Sequence, residues 1–128
     1  MAYIYTSYFA AWRQWPENVL AIGITRFKPD YWKGFNLENL APSESLLRRY
    51  RNKEIDEYIF KTKYIRELKD RGLTPQYVRQ VLETAADGRD IILCCYEKPD
   101  EFCHRHILAE WLGGDGEQNK IIEYLEKK

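Results

Sequence analysis

Residues 91–95, Ile-Ile-Leu-Cys-Cys, form an uninterrupted apolar run, and Val19-Leu20-Ala21-Ile22-Gly23-Ile24 forms a second. A strand with one wet face alternates apolar and polar residues. A strand that is apolar throughout is covered on both faces, the usual situation in parallel sheets. Segments with helical spacing stand between and after these runs. Short buried strands alternating with helices define an α/β fold, here a single-domain layered fold with a mainly parallel sheet flanked by helices. Right-handed crossovers then align the strand C-terminal ends along one edge, where open α/β sheets bind ligands. The 128 residues are read as one domain, 1–128, close to the commonest domain size.

The remaining elements follow in order. Ala2 to Tyr5 reads as a short strand, and Ala10 to Trp15 as a helical turn stopped before Pro16. Residues 30–43 are loop-like and rich in rings, with Tyr31, Trp32 and Phe35. These rings either cover the core or wall a ligand pocket. Ser43 caps a short helix through Tyr50. Residues 53–71 carry Ile55, Tyr58, Ile59, Ile65 and Leu68 at near-helical spacing, with Glu57–Lys61 and Glu67–Arg71 as i,i+4 pairs and Gly72 as the stop. Thr74-Pro75 opens a helix to Ala86 whose apolar positions are Tyr77, Val78, Val81, Leu82 and Ala85. A turn at residues 87–90 leads into the strand from Ile91 to Cys95 or Tyr96. A helix covers Phe102 to Leu112, and Ile121 to Leu125 form a last short element.

All three cysteines and both histidines lie between positions 94 and 106. Three cysteines, two of them adjacent, make a poor disulfide framework and point to a reducing cytoplasm. Cys94 reads as a core residue and His106 as a surface or pairing residue one turn from Glu110. The others face one another across the strand–helix junction. Cys95 and Glu97 belong to the strand end, while Cys103, His104 and Arg105 open the helix.

Three chemistries suit this constellation. The first is an anion site, using the free N–H groups and positive dipole end of the helix together with Arg105, His104 and Arg26. The second is a reactive thiol. Cys103 at a helix start beside His104 and Arg105 is where a thiol pKa falls. The arginine six residues after the nucleophile that cysteine phosphatases use is missing, since Glu101 stands six after Cys95. The third is a zinc site built from Cys95, Cys103 and a histidine, although no Cys-x-x-Cys pair supports it and no metal ligands are assigned. Hydrogen bonding within the fold, tying the loop to the strand ends, is the plain structural reading of the same residues.

The stretch Leu93-Cys94-Cys95-Tyr96-Glu97-Lys98-Pro99-Asp100-Glu101-Phe102-Cys103-His104-Arg105, running on into Ala109-Glu110-Trp111, resembles the hallmark of the domain of unknown function 488 family. That hallmark is a strand ending in Cys-x-Glu, a short loop with Pro, and Cys-His-Arg opening a helix. The matching residues are Cys95, Glu97, Pro99, Cys103, His104 and Arg105. The family also tends to carry Asp-x-Arg and a following Pro after its second strand. Arg26 and Pro29 match, but Ile24 stands where the Asp is expected. The resemblance implies an α/β fold with a pocket at the strand ends and supplies no settled activity.

The expected protein is therefore a small cytoplasmic one with a polar pocket that takes an anionic, phosphate- or nucleotide-like small molecule. Cys103, His104 and Arg105 are its candidate catalytic residues, as nucleophile, acid/base and anion holder. Arg26, Cys95, Glu97, Ser7 and Tyr8 are its candidate ligand contacts. Whether the protein is an enzyme, its cofactors and its oligomeric state stay open. The alternatives are a nucleic-acid-associated module, supported by Arg48 to Lys53 and the surplus of Tyr and Trp, or an interaction domain with a structural zinc site. A net charge of zero gives the chain no global attraction to phosphates. No secretory signal is expected from the N-terminal residues, and no apolar run approaches the roughly 20 residues needed to cross a bilayer.

Overall fold

A computed structural model describes residues 3–96, 103–113 and 122–123. Five strands form one sheet, β1 (Ile4–Tyr8), β2 (Val19–Gly23), β3 (Phe35–Asn36), β4 (Asp90–Cys95) and β5 (Ile122–Glu123), in the order β3-β2-β4-β1-β5. Every pairing is parallel. Four helices accompany it, α1 (Glu44–Arg51), α2 (Glu57–Asp70), α3 (Pro75–Ala86) and α4 (His104–Gly113), with a 3₁₀ turn at Phe9–Gln14. The α/β architecture matches the pattern of apolar runs. No helix among the described residues is long and apolar enough to cross a membrane.

The two apolar runs become the centre of the sheet. β4 lies between β2 and β1, with Ile91 to Cys95 all buried. Its side chains alternate between two cores. Ile91, Leu93 and Cys95 join a large cluster with the helices, including Phe60, Tyr64, Leu68, Leu82 and Leu108. Cys94 points the other way, into an aromatic layer of Phe9 and Trp32 with Trp15 packed against it. Its thiol donates to the Ile22 carbonyl, and burial pushes its pKa up. The reading of Cys94 as a core residue agrees with this placement.

The caps were legible. Ser43 Oγ accepts from Leu46 N, Thr74 accepts from Tyr77 N with Pro75 in the first turn, and Gly72 adopts φ 81° after α2. Helix faces were less legible. α2 begins at Glu57 rather than near residue 53, and its buried positions are Phe60, Tyr64 and Leu68, an i, i+4, i+8 stripe. Tyr58 and Ile59 are exposed instead. α3 likewise buries Val78, Leu82 and Ala86 and leaves Tyr77 and Val81 exposed. Lys61 pairs with Glu110 of α4 rather than with Glu57, whereas Arg71 does reach Glu67. The basic residues Arg48, Arg49 and Arg51 occupy the last turn of α1, where cations meet the negative end of the helix dipole.

β1 corrects the N-terminal expectation. The strand runs to Tyr8, so Thr6, Ser7 and Tyr8 lie within it and not in a loop beyond it. Parallel register sets Ser7 opposite Cys94 and Tyr8 opposite Cys95, while Gly23 of β2 also stands opposite Cys94. The C-terminal ends of β1, β2 and β4 therefore lie level on one edge. That edge carries the candidate site.

Candidate functional site

Cys95 is the last residue of β4 and Cys103 immediately precedes α4. Their sulfurs are joined in a disulfide across a sequence separation of 8. The cysteine count had argued against a disulfide, and the fold corrects that expectation. Adjacent Cys94 and Cys95 point to opposite faces of the sheet, so only Cys95 reaches the helix side, and Cys94 stays free. Both bonded residues belong to the large helix-side core.

His104 and Arg105 begin α4 pointing inward. Arg105 has no exposed surface, and its Nη1 donates to Cys95 Sγ at 3.1 Å. A guanidinium at zero exposure is rare because desolvating a charge is costly unless it is paired and hydrogen-bonded. A sulfur is a weak acceptor, and a thiolate in the same place would be a far stronger one. His104 Nε2 lies 2.6 Å from the Ile24 carbonyl, and its Nδ1 lies 3.9 Å from Cys103 Sγ. A carbonyl only accepts, so Nε2 carries the proton and Nδ1 faces the sulfur with its lone pair. The ring is also set edge-on to Tyr64, 5.8 Å between centroids. Burial lowers the His104 pKa to about 4, helped by the positive charge of Arg105 and opposed by the bond to Ile24. The imidazole is therefore neutral at pH 7.

Ile24 is the residue that stands where the related pattern has Asp. Its side chain is wholly buried in the core, and its backbone carbonyl fixes the histidine. The strand exit that presents this carbonyl is itself clamped. Asn36 Nδ2 donates to the Thr25 carbonyl at 2.7 Å, its Oδ1 accepts from Thr25 N at 3.2 Å, and Thr25 Oγ1 donates to the Phe27 carbonyl at 2.9 Å. Tyr96 Oη donates to the same Phe27 carbonyl at 2.7 Å, so the residue after Cys95 and the exit of β2 are tied together. Gly23 is required beneath this clamp, because a Cβ there would come within 2.5 Å of Asn36 Oδ1.

A cleft of about 850 Å³ opens on the far side of that exit. Arg26 and Lys28 line it together with Phe27, Phe35 and Asn36. Phe27 and Phe35 are both strongly exposed, and Arg26 Nε is buried with no hydrogen-bond partner among the described residues. The cleft does not include the cysteines. Its wall begins at Arg26, two residues after the Ile24 carbonyl that holds His104.

Of the residues expected at the site, Cys95, Cys103, His104 and Arg105 are brought together. Arg26 borders the adjoining cleft. Tyr8 is half-buried beside Cys95 in register. Ser7 is not brought to the cluster. It is fully buried opposite Cys94 and accepts from Trp15 Nε1 at 3.1 Å, on the aromatic side of the sheet. Glu97 lies outside the described residues. The ring-rich loop divides between its two readings, with Trp32 packed 5.0 Å from Phe9 in the core and Phe35 on the cleft wall. Sequence reasoning missed the Ile24 carbonyl; it places Arg26 to Pro29 at the strand-end edge but singles out only Arg26 there, not Phe27 or Lys28. A backbone acceptor leaves no compositional trace, but the exposed ring-and-cation run after β2 was a usable signal.

The buried histidine predicts a pH dependence of stability. Its folded pKa of about 4 lies below the unfolded value near 6.5. Between these values the unfolded chain holds a proton that the folded chain does not, so stability falls as pH drops from 6.5 toward 4 and levels off below. The loss is about 3 kcal/mol at most. Urea midpoints measured from pH 7 to pH 4 should show this extra loss for the wild type and not for His104→Gln. Equal slopes in the two proteins would contradict the assignment.

No curated protein and no solved structure matches the chain significantly. A family model described as "Active DUF488-N3 subclade" matches residues 6–116, which takes in the sheet edge, the cleft and all of α4. The chain belongs to the domain of unknown function 488 family, within its DUF488-N3 subclade.

Proposed function

We propose that this protein binds an anionic, phosphate- or nucleotide-like small molecule in the cleft beside Arg26 and Lys28, and that Cys103 in its reduced form is the reactive group of the adjoining centre. The observation that carries the reading is the neutral His104, held by the Ile24 carbonyl, with Nδ1 directed at Cys103 Sγ. A reduced Cys103 could give its proton to that nitrogen. The thiolate so formed would raise the basicity of the imidazole opposite it, because an anion stabilises the imidazolium. The cleft offers an anion with a planar ring two cations and two exposed aromatic faces, against the one carboxylate of Glu38 on its wall. Arg105 acts on Cys95 in this account and leaves the external anion to Arg26 and Lys28. The description of the matching subclade as active is consistent with a reacting centre.

One observation favours a second reading. The ligand atoms of Cys95, Cys103 and His104 all lie within 4.8 Å of one another. A tetrahedral zinc bound to one sulfur and one nitrogen sets those two atoms about 3.6 Å apart, and Cys103 Sγ and His104 Nδ1 are 3.9 Å apart. The Ile24 carbonyl on the other ring nitrogen is the support that ligating histidines usually have. Once the disulfide is reduced, the three could hold a zinc ion with a fourth position open.

The two readings separate in one set of measurements on reduced protein. Adenosine monophosphate at about 100 times its Kd should raise Tm by roughly 10 °C. Arg26→Ala should abolish that rise. Iodoacetamide should label Cys103 in the wild type about tenfold faster than in His104→Gln. No shift with either adenosine monophosphate or inorganic phosphate, together with an unreactive Cys103, would contradict the proposal. About one zinc per chain after equilibration, lost in Cys103→Ser, would establish the metal reading instead.

A further inference from the structure

We infer that Cys95 and Cys103 are a working redox pair that exchanges two electrons with low-molecular-weight thiols and disulfides. The inference rests on the reading of Cys103 as the reactive thiol, and adds the reaction and the second sulfur. Three observations carry it. The two sulfurs meet in a disulfide across the strand–helix junction, so either can attack or resolve the other. The two sulfurs also have different partners. Arg105 Nη1 stands 3.1 Å from Cys95 Sγ, and His104 Nδ1 stands 3.9 Å from Cys103 Sγ. The third cysteine is on the opposite side of the sheet and takes no part.

The asymmetry sets the order of events. In the reductive direction a small thiolate, RS⁻, attacks Cys103 Sγ. A bond forms between the incoming sulfur and Cys103, the Cys95–Cys103 bond breaks, and Cys95 leaves as a thiolate. That leaving group forms against the Arg105 guanidinium, which lowers its basicity and speeds its departure. Attack at Cys95 would instead expel Cys103, which faces His104 Nδ1 rather than the Arg105 guanidinium, the poorer arrangement. A second RS⁻ then attacks the sulfur of the bound R group. It releases R–S–S–R and leaves Cys103 as a thiolate, protonated through His104 Nδ1. The sum is protein disulfide plus two RSH giving protein dithiol plus RSSR, with two electrons and two protons passed to the protein.

Run backwards, Cys103 gives its proton to His104 and attacks a small disulfide, expelling one RS⁻. Cys95 then resolves the mixed disulfide and expels the second. Both cysteines are buried, Cys95 wholly and Cys103 nearly so. A slim thiol fits this geometry better than the disulfide loop of a folded protein does. A low-molecular-weight thiol is the chemical class expected, with glutathione as its probe.

The test equilibrates the full chain in glutathione buffers of graded thiol-to-disulfide ratio, quenches with acid, and alkylates after denaturation. Wild-type protein should pass from one alkylated thiol to three in a single step. Exposed to glutathione disulfide, Cys95→Ser should accumulate a stable glutathione adduct on Cys103, about tenfold above the wild-type level. Cys95→Ala serves equally if the serine variant folds poorly, and the wild-type titration needs no variant. Three free thiols at every ratio, or equal adduct in wild type and variant, would overturn the redox pair. If Cys103 is still labelled by iodoacetamide in that case, the proposed function stands without it. A Cys103 inert to both reagents would sink both.

Discussion

Strand β4 is paired on both edges and covered on both faces, and the arrangement of the site depends on that burial. Its apolar run leaves no polar side chain to compete with the sheet, so the alternation of side chains is fixed by the pleat. Cys95 must then face the helices if Cys94 faces the aromatic layer. A slip of one residue would exchange them and take the Cys95 sulfur away from Cys103 and Arg105. Parallel register also brings the ends of β1, β2 and β4 level, which places the exit of β2 within reach of the first turn of α4.

Around that frame the site is held by contacts that are costly to break. Arg105 and His104 are both buried polar groups, and each is bonded to a neighbour on the strand edge. The histidine depends on a backbone carbonyl, and that carbonyl depends on the Asn36 clamp and on the space left by Gly23. The hold on His104 therefore originates in β3, more than ten residues beyond Ile24 in sequence. The same strand supplies part of the cleft wall, so the shape of the cleft and the posture of His104 share a structural support.

Much of this was legible in the sequence. Two all-apolar runs specify buried parallel strands, and the Ser43 and Thr74-Pro75 caps mark helix starts, because each signal is local and physical. The crowding of Cys103, His104 and Arg105 after Cys95 pointed to residues that the fold does bring together. Helix faces were harder to read because ring-bearing residues such as Tyr58 and Tyr77 are apolar enough to look like core yet remain exposed. Phe60 and Tyr64 hold the buried positions of α2 instead. The partner of His104 was illegible for a different reason. It is the main chain of Ile24, and main-chain groups are identical in every residue. Ser7 shows the converse error, where a polar side chain near a strand end has its hydroxyl bonded to Trp15 within the fold.

The central claim is that His104 is neutral at pH 7, protonated at Nε2 against the Ile24 carbonyl, with Nδ1 left open toward Cys103. The most direct measurement is a long-range ¹H–¹⁵N correlation spectrum of the imidazole in labelled protein at pH 7. The account predicts a protonated Nε2 and an unprotonated Nδ1 for His104. A ring protonated at Nδ1, or at both nitrogens, would contradict it.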